Sequence, residues 1–141
     1  MQVNPYLFFN GQCEAAFRFY EEALGGKITA MMSFADAPAG QGGPESQNGI
    51  MHACLEVGEG RLMGSDDPGG DFKAPKGFYV QIAIGKVSDA ERVFSTLAKG
   101  GKVNVPFEQS FWATRFGMLV DQFGIPWMVN CYEGMEQGVG A

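Results

Sequence analysis

The stretch "EAAFRFYEEALGGKI", residues 14–28, returns later in the chain as "DAERVFSTLAKGGKV", residues 89–103, and that return decides the fold. The two superpose without a gap at a shift of 75, Lys27 falling on Lys102, with Ala15, Phe19, Ala23, Gly25 and Gly26 matched by Ala90, Phe94, Ala98, Gly100 and Gly101. Apolar residues recur at steps of three and four, which predicts two amphipathic helices. The core faces are expected at Ala16, Phe19/Tyr20 and Ala23/Leu24, and at Ala90, Val93/Phe94 and Leu97. A glycine pair closes each helix, because glycine enters the left-handed conformation without a Cβ clash. Ser88 followed three residues later by Glu91 reads as a capping box that starts the second helix.

The flanks repeat as well. "VNPYLFF" and "FYVQIAI" precede the helices, and "ITAMMSF" and "VNV" follow them, each read as a strand. Two further strands close each half: "GIMHACLEV" and "RLMGSD" in the first, "RFGMLVD" and "PWMVNCY" in the second. The predicted fold class is α+β: two tandem βαβββ modules, residues 3–67 and 77–133, form a curved mixed sheet around a hollow within a single domain, 1–141. Residues 35–48, "ADAPAGQGGPESQN", carry no periodicity and read as a flexible loop, either a mobile cover over a site or a floppy extension. Residues 134–141 form a tail. "DPGGDFKAPKG", residues 67–77, links the halves, and Asp66, Asp67 and Asp71 suit an ordinary turn better than a calcium loop.

Composition excludes several classes of function. The chain has 141 residues and a formal charge of −6, and its ten basic residues are scattered, so a nucleic-acid partner is not expected. An acidic surface would rather attract a cationic ligand. No apolar run is long enough for a membrane helix and no signal peptide is visible, so a cytoplasmic location is expected, with no membrane partner. Three cysteines, Cys13, Cys54 and Cys131, without a CxxC pair point to reduced thiols rather than to disulfides or structural zinc.

With "PYLFFNGQCEAAFRFYEEALGGK" near its start and "FWATRFGMLVDQFGIPWMV" near its end, the doubled βαβββ chain resembles the vicinal-oxygen-chelate superfamily over about residues 3–132. Within it, the chain is similar to the PhnB-like branch, also labelled 3-demethylubiquinone 3-methyltransferase-like or glyoxalase/bleomycin-resistance-like. In metal-using relatives, His, Glu and Gln ligands come from the first and fourth strand of each half, where a divalent cation polarises substrate oxygens. The resemblance places those positions near Asn4, Met63, Tyr79 or Gln81, and Met128 or Asn130. No combination of these supplies two imidazoles or an interior carboxylate; the first acid near the last strand, Glu133, comes only as the pattern ends. Amides and thioethers are poor ligands for a hard or borderline cation, so no metal is expected. S-adenosylmethionine lacks support too, since the first strand–helix junction has one glycine instead of a dinucleotide-type fingerprint, and no cofactor is expected. The resemblance also implies a homodimer.

Strand alternation then sorts the side chains. Pro5, Leu7, Phe9; Ala53, Leu55, Val57; Val80, Ile82, Ile84; and Trp127, Val129, Cys131 are expected to face the helices. Their neighbours Asn4, Tyr6, Phe8, His52, Cys54, Glu56, Tyr79, Gln81, Met128, Asn130 and Tyr132 are expected to line the hollow, an aromatic wall with few polar groups, as small-molecule pockets generally have. His52, the only histidine, is the candidate general acid or base, with Glu56 and Cys54 as partners on its face. Arg115, beside Phe111 and Trp112 in "FWATRFG", reads either as a clamp for a carboxylate or phosphate, with Trp112 a ligand contact, or as a structural pair for Asp121. Two functions follow: a metal-independent pocket for a small, partly aromatic or cationic organic ligand, or an enzyme of lyase, dioxygenase or isomerase type that uses His52 as general acid or base, or a divalent metal at a degenerate site.

Overall fold

A computed structural model describes residues 1–37 and 49–134. Two compact units divide the chain, Met1–Lys73 and Ala74–Ala141, and the division falls inside the linking segment read from the sequence. The first unit runs β1 (Tyr6–Phe9), α1 (Cys13–Leu24), β2 (Lys27–Ser33), β3 (Ile50–Val57) and β4 (Gly60–Asp66). The second runs β5 (Val80–Ile84), α2 (Val87–Ala98), β6 (Lys102–Glu108), β7 (Arg115–Val120) and β8 (Pro126–Cys131). Each is a βαβββ module with its own sheet, in the orders β1-β4-β3-β2 and β5-β8-β7-β6. The outer pairs β1/β4 and β5/β8 are parallel and the remaining pairs antiparallel, so both sheets are mixed. A short 3-10 turn, Phe34–Asp36, closed by Ser33 and Asp36, leads into the loop expected over 35–48, of which residues 38–48 lie outside the described residues. The expected tail lies outside them from residue 135 onward.

One face of each sheet is covered by its helix. In the first unit Leu7, Phe9, Ala53 and Leu55 meet Cys13, Ala16, Phe17, Tyr20 and Ala23, all nearly or fully buried. Phe9, Phe17 and Tyr20 form an aromatic cluster with ring centroids 5.9 to 6.5 Å apart. In the second unit Leu119, Trp127, Val129 and Cys131 are buried with Ala90, Val93, Phe94 and Leu97. Pro5, expected on the helix side, is exposed, because β1 begins one residue after it.

The letter-by-letter match of the two helices hides a slip. Phe19 aligns with Phe94 in sequence, yet the core residue of α1 is Phe17, while Phe19 is only half-buried and Ala15 is exposed. The equivalence of Phe17 and Phe94 is set by glycines across from them. A Cβ on Gly64 would stand 3.0 Å from the Phe17 ring, and one on Gly117 would stand 2.7 Å from the Phe94 ring. Two residues turn an α-helix through roughly 200°, so matched letters can lie on opposite faces.

The glycine pairs serve two purposes. Gly25 closes α1 in the left-handed region at φ 72°, and Gly100 takes φ 73° two residues past α2. The second member of each pair needs space rather than a special angle. A Cβ on Gly26 would come 2.5 Å from the Glu56 carbonyl oxygen, and one on Gly101 would run into the Val120 carbonyl oxygen. Each helix exit is thereby held tightly against a neighbouring strand.

The expected Ser88–Glu91 capping box is not formed. Val87 is the first residue of α2, which puts Ser88 inside the first turn, and no side chain of the cap residue Lys86 caps the helix. The Val87 amide donates instead to Glu133 Oε2. The first unit uses the same device: Cys13, first in α1, donates its amide to Asp66 Oδ1 at 2.9 Å, and Ile50 donates to Asp66 Oδ2 at 2.8 Å. A carboxylate from the end of the fourth strand satisfies amides that a helix start leaves without partners, and it suits the positive end of the helix dipole.

Candidate functional site

The uncovered face of each sheet carries the candidate residues. On the first, Tyr6 and Phe8 of β1 stay 40% and 51% exposed, although the residues between and after them are buried. Tyr6 pairs in register with Met63, Met63 with Cys54, and Cys54 with Ala30, so these four cross the sheet in one row. His52, two residues before Cys54, lies opposite Met32 of β2. The Tyr6 and His52 rings stack at 5.8 Å with 24° between planes, and Tyr6 Oη lies 3.1 Å from His52 Nδ1. Tyr6 also meets Phe8, ring centroids 5.4 Å apart.

The fold thus joins His52 to Tyr6 rather than to the partners expected from sequence. Glu56 sits on the same face but accepts a hydrogen bond from Arg61 Nη2 at 3.1 Å, in an exposed ion pair. Cys54 is buried beside Met63 without a hydrogen bond to His52 among the described residues. Asn4 lies before β1, and Tyr6 holds the register position opposite Met63 that the strand offset had assigned near Asn4.

On the second sheet Gln81 of β5 faces Met128 of β8, its Nε2 lying 4.0 Å from the thioether sulfur, and Met128 pairs with Met118 of β7. Asn130 pairs with Ala83 on one side and Phe116 on the other and is fully buried. Trp112, in the loop before β7, meets Phe116 edge-on at 5.0 Å, and Phe111 meets Trp112 at 4.8 Å. Phe116 and Met118 were missed in the sequence reading; the strand alternation of β7 could have found them. A bulge in β6 inserts Asn104 between Val103 and Val105. Its Nδ2 donates to Tyr79 Oη at 3.1 Å. Tyr79 precedes β5, at the opposite edge of this sheet, and flat edges would stand roughly 14 Å apart in a four-stranded sheet. The contact therefore requires the second sheet to curl toward this face.

Arg115 falls outside this group. It pairs with Cys131, on the helix side, and its Nη1 donates to the Thr114 carbonyl at 3.0 Å. The alternative pairing with Asp121 is not formed. Asp121 is buried and accepts from the Phe123 and Ile125 amides and from Trp127 Nε1, which fixes the β7–β8 turn.

The arrangement of β1 beside β4 and β5 beside β8, twice over, is matched by a family model. The model of the glyoxalase/bleomycin resistance protein/dioxygenase superfamily aligns with residues 2–129. The chain belongs to that superfamily. It is 31% identical to protein YjdN of Escherichia coli strain K12 over 139 residues, 92% of this chain and 95% of the other. It is 42% identical to protein PA1353 of Pseudomonas aeruginosa, with a TM-score of 0.88 over 94% of this chain and 98% of that one. The PhnB protein of Bacillus cereus, 20% identical, shares the fold with a TM-score of 0.76 over 93% of this chain and 99% of that one.

Metal-using members of the superfamily draw ligands from the paired first and fourth strands of each module. Here those register partners are Tyr6 with Met63 and Gln81 with Met128. A phenol, an amide and two thioethers do not make a donor set for a divalent first-row cation. Among the described residues no three His, Cys, Asp or Glu gather closely enough to hold a metal ion. The described residues at these register positions do not fit a resident metal. Nor is any helix among the described residues long and apolar enough to cross a membrane.

Proposed function

We propose that the protein binds a small, partly aromatic or cationic organic molecule on an uncovered sheet face, without a resident metal. The observation that carries this reading is the stacked Tyr6–His52 pair beside the half-exposed Phe8, which supplies flat ring surfaces next to a polar group. Large apolar side chains left exposed together are a feature of ligand and partner sites. Gln81, Met128, Trp112 and Phe116 offer the second module a comparable surface of thioether, amide and ring. The acidic balance of the chain favours a cationic over an anionic ligand. The test is a ligand screen run with and without chelator, alongside calorimetric titration with zinc, nickel, manganese and iron. Binding that survives chelation supports the reading; a tight stoichiometric metal site overturns it.

We further propose that the protein acts as a homodimer in the cytoplasm. Val103 and Val105 of the edge strand β6 stay 42% and 38% exposed, and such apolar edges are commonly covered by a partner. Light scattering that gives a strict monomer at micromolar concentration would overturn the dimer.

A further inference from the structure

In histidines that serve as bases, an acceptor such as a carboxylate usually holds the Nδ1–H, which leaves the Nε2 lone pair for the substrate. His52 is oriented by a phenol instead. Tyr6 Oη is 3.1 Å from Nδ1, and neither side chain makes another hydrogen bond or ion pair among the described residues. A phenol O–H is a stronger donor than a neutral imidazole N–H, and an imidazole nitrogen is a stronger acceptor than a phenol oxygen. The matched arrangement is therefore Oη–H donating to Nδ1, with the imidazole proton on Nε2.

No neighbouring group reverses this polarity. Opposite His52 on β2 stands Met32; next on its own face of β3 stands Cys54; β4 contributes Met63 and Ser65, and β1 contributes Phe8. The charged side chains further along, Glu56 and Arg61, are bound to each other. The face therefore sets one imidazole among rings and thioethers.

We propose that Tyr6 holds His52 as its Nε2–H tautomer, so that the pair donates a hydrogen bond to the oxygen of an aromatic carbonyl compound whose ring lies on Tyr6 and Phe8. The ligand half of this proposal rests on the binding reading above, whereas the tautomer half stands on the free protein. Once a bound ring covers this half-buried donor, ligands that carry the acceptor are favoured over analogues that lack it.

Because the chain has a single histidine, long-range nitrogen–proton NMR reports on His52 alone. The measurement is made at mildly alkaline pH, where an ordinary imidazole is neutral. The expected result is a protonated Nε2 and an unprotonated Nδ1 in the wild type, with the two tautomers mixed in Tyr6→Phe. Acetophenone should then shift the Nε2–H and Tyr6 ring signals of the wild type, and indole, which has no acceptor oxygen, should leave Nε2–H in place. An unprotonated Nε2, or an unchanged tautomer in Tyr6→Phe, overturns the assignment whatever the ligand screen finds. The expected tautomer together with no acetophenone shift at His52, or with an equal indole shift, overturns the ligand class and leaves metal-free binding to its own screen.

Discussion

Glu133, two residues past the end of β8, accepts the Val87 amide at the start of α2 with an N–O separation of 2.5 Å. Asp66, the last residue of β4, does the same for Cys13 at the start of α1. The acid whose late position argued against a metal ligand is thus a helix cap. The two caps differ in burial: Asp66 is 3% exposed and holds two amides, whereas Glu133 lies at the surface.

Their replacement should therefore have unequal costs. Asp66→Ala leaves two buried amides without acceptors and should lower stability by roughly 2–4 kcal/mol. Glu133→Ala removes an exposed cap and should cost about 1 kcal/mol. Urea unfolding of the two variants checks the order, and equal losses would refute the burial argument.

The glycine pairs predict a second contrast. Gly26→Ala and Gly101→Ala push a methyl group into a backbone carbonyl oxygen, a collision only strand displacement can relieve, and each should cost about 3 kcal/mol or more. A Cβ on Gly25 meets open space and has only its left-handed backbone to oppose it, so Gly25→Ala should cost about 1 kcal/mol. Thermal melts would show the second glycine of each pair to be the less replaceable.

Cys13 should be silent to thiol reagents in the native protein and should weaken the fold at high pH. Its side chain is fully buried, and burial, then the charges of Asp66 and Glu14, push its pKa from 9.0 up to about 12. Below pH 9.0 the thiol is protonated in both states, and its contribution to stability is fully present. Between 9.0 and about 12 the unfolded chain releases this proton and the folded chain does not, so stability falls as pH rises through that window. Cys13→Ala should flatten this part of the pH–stability curve, and native-state alkylation by iodoacetamide at neutral pH should miss Cys13.

The two tryptophans provide an optical test of the second sheet. Trp127 is 1% exposed with its indole bonded to Asp121 at 2.8 Å, whereas Trp112 is 37% exposed beside Phe116. Acrylamide should quench Trp112 and spare Trp127. A planar ligand bound on this face should likewise change Trp112 emission, and Trp112→Phe should abolish the change while leaving the Trp127 signal. Ligand quenching that persists in Trp112→Phe would place binding elsewhere.

The sequence by itself determined the doubled βαβββ plan, because helix periodicity, paired glycines and alternating strands are local signals that repeat after the same interval. Alternation also put Tyr6, Phe8, His52, Cys54 and Glu56 on one face, since side chains in a strand reverse with every residue. Tertiary structure decided what local pattern does not encode. Phe17 rather than Phe19 fills the core because Gly64, in another strand, leaves room for its ring. Glu133 rather than Ser88 caps α2 because the chain returns from β8 to the helix start. His52 meets Tyr6 rather than Glu56 because β1 and β3 flank β4, while Arg61 on β4 draws Glu56 away. The Phe17–Gly64, Glu133–Val87 and Tyr6–His52 pairings join residues far apart in sequence, and their partners are chosen by strand order and register, which only the packed module sets.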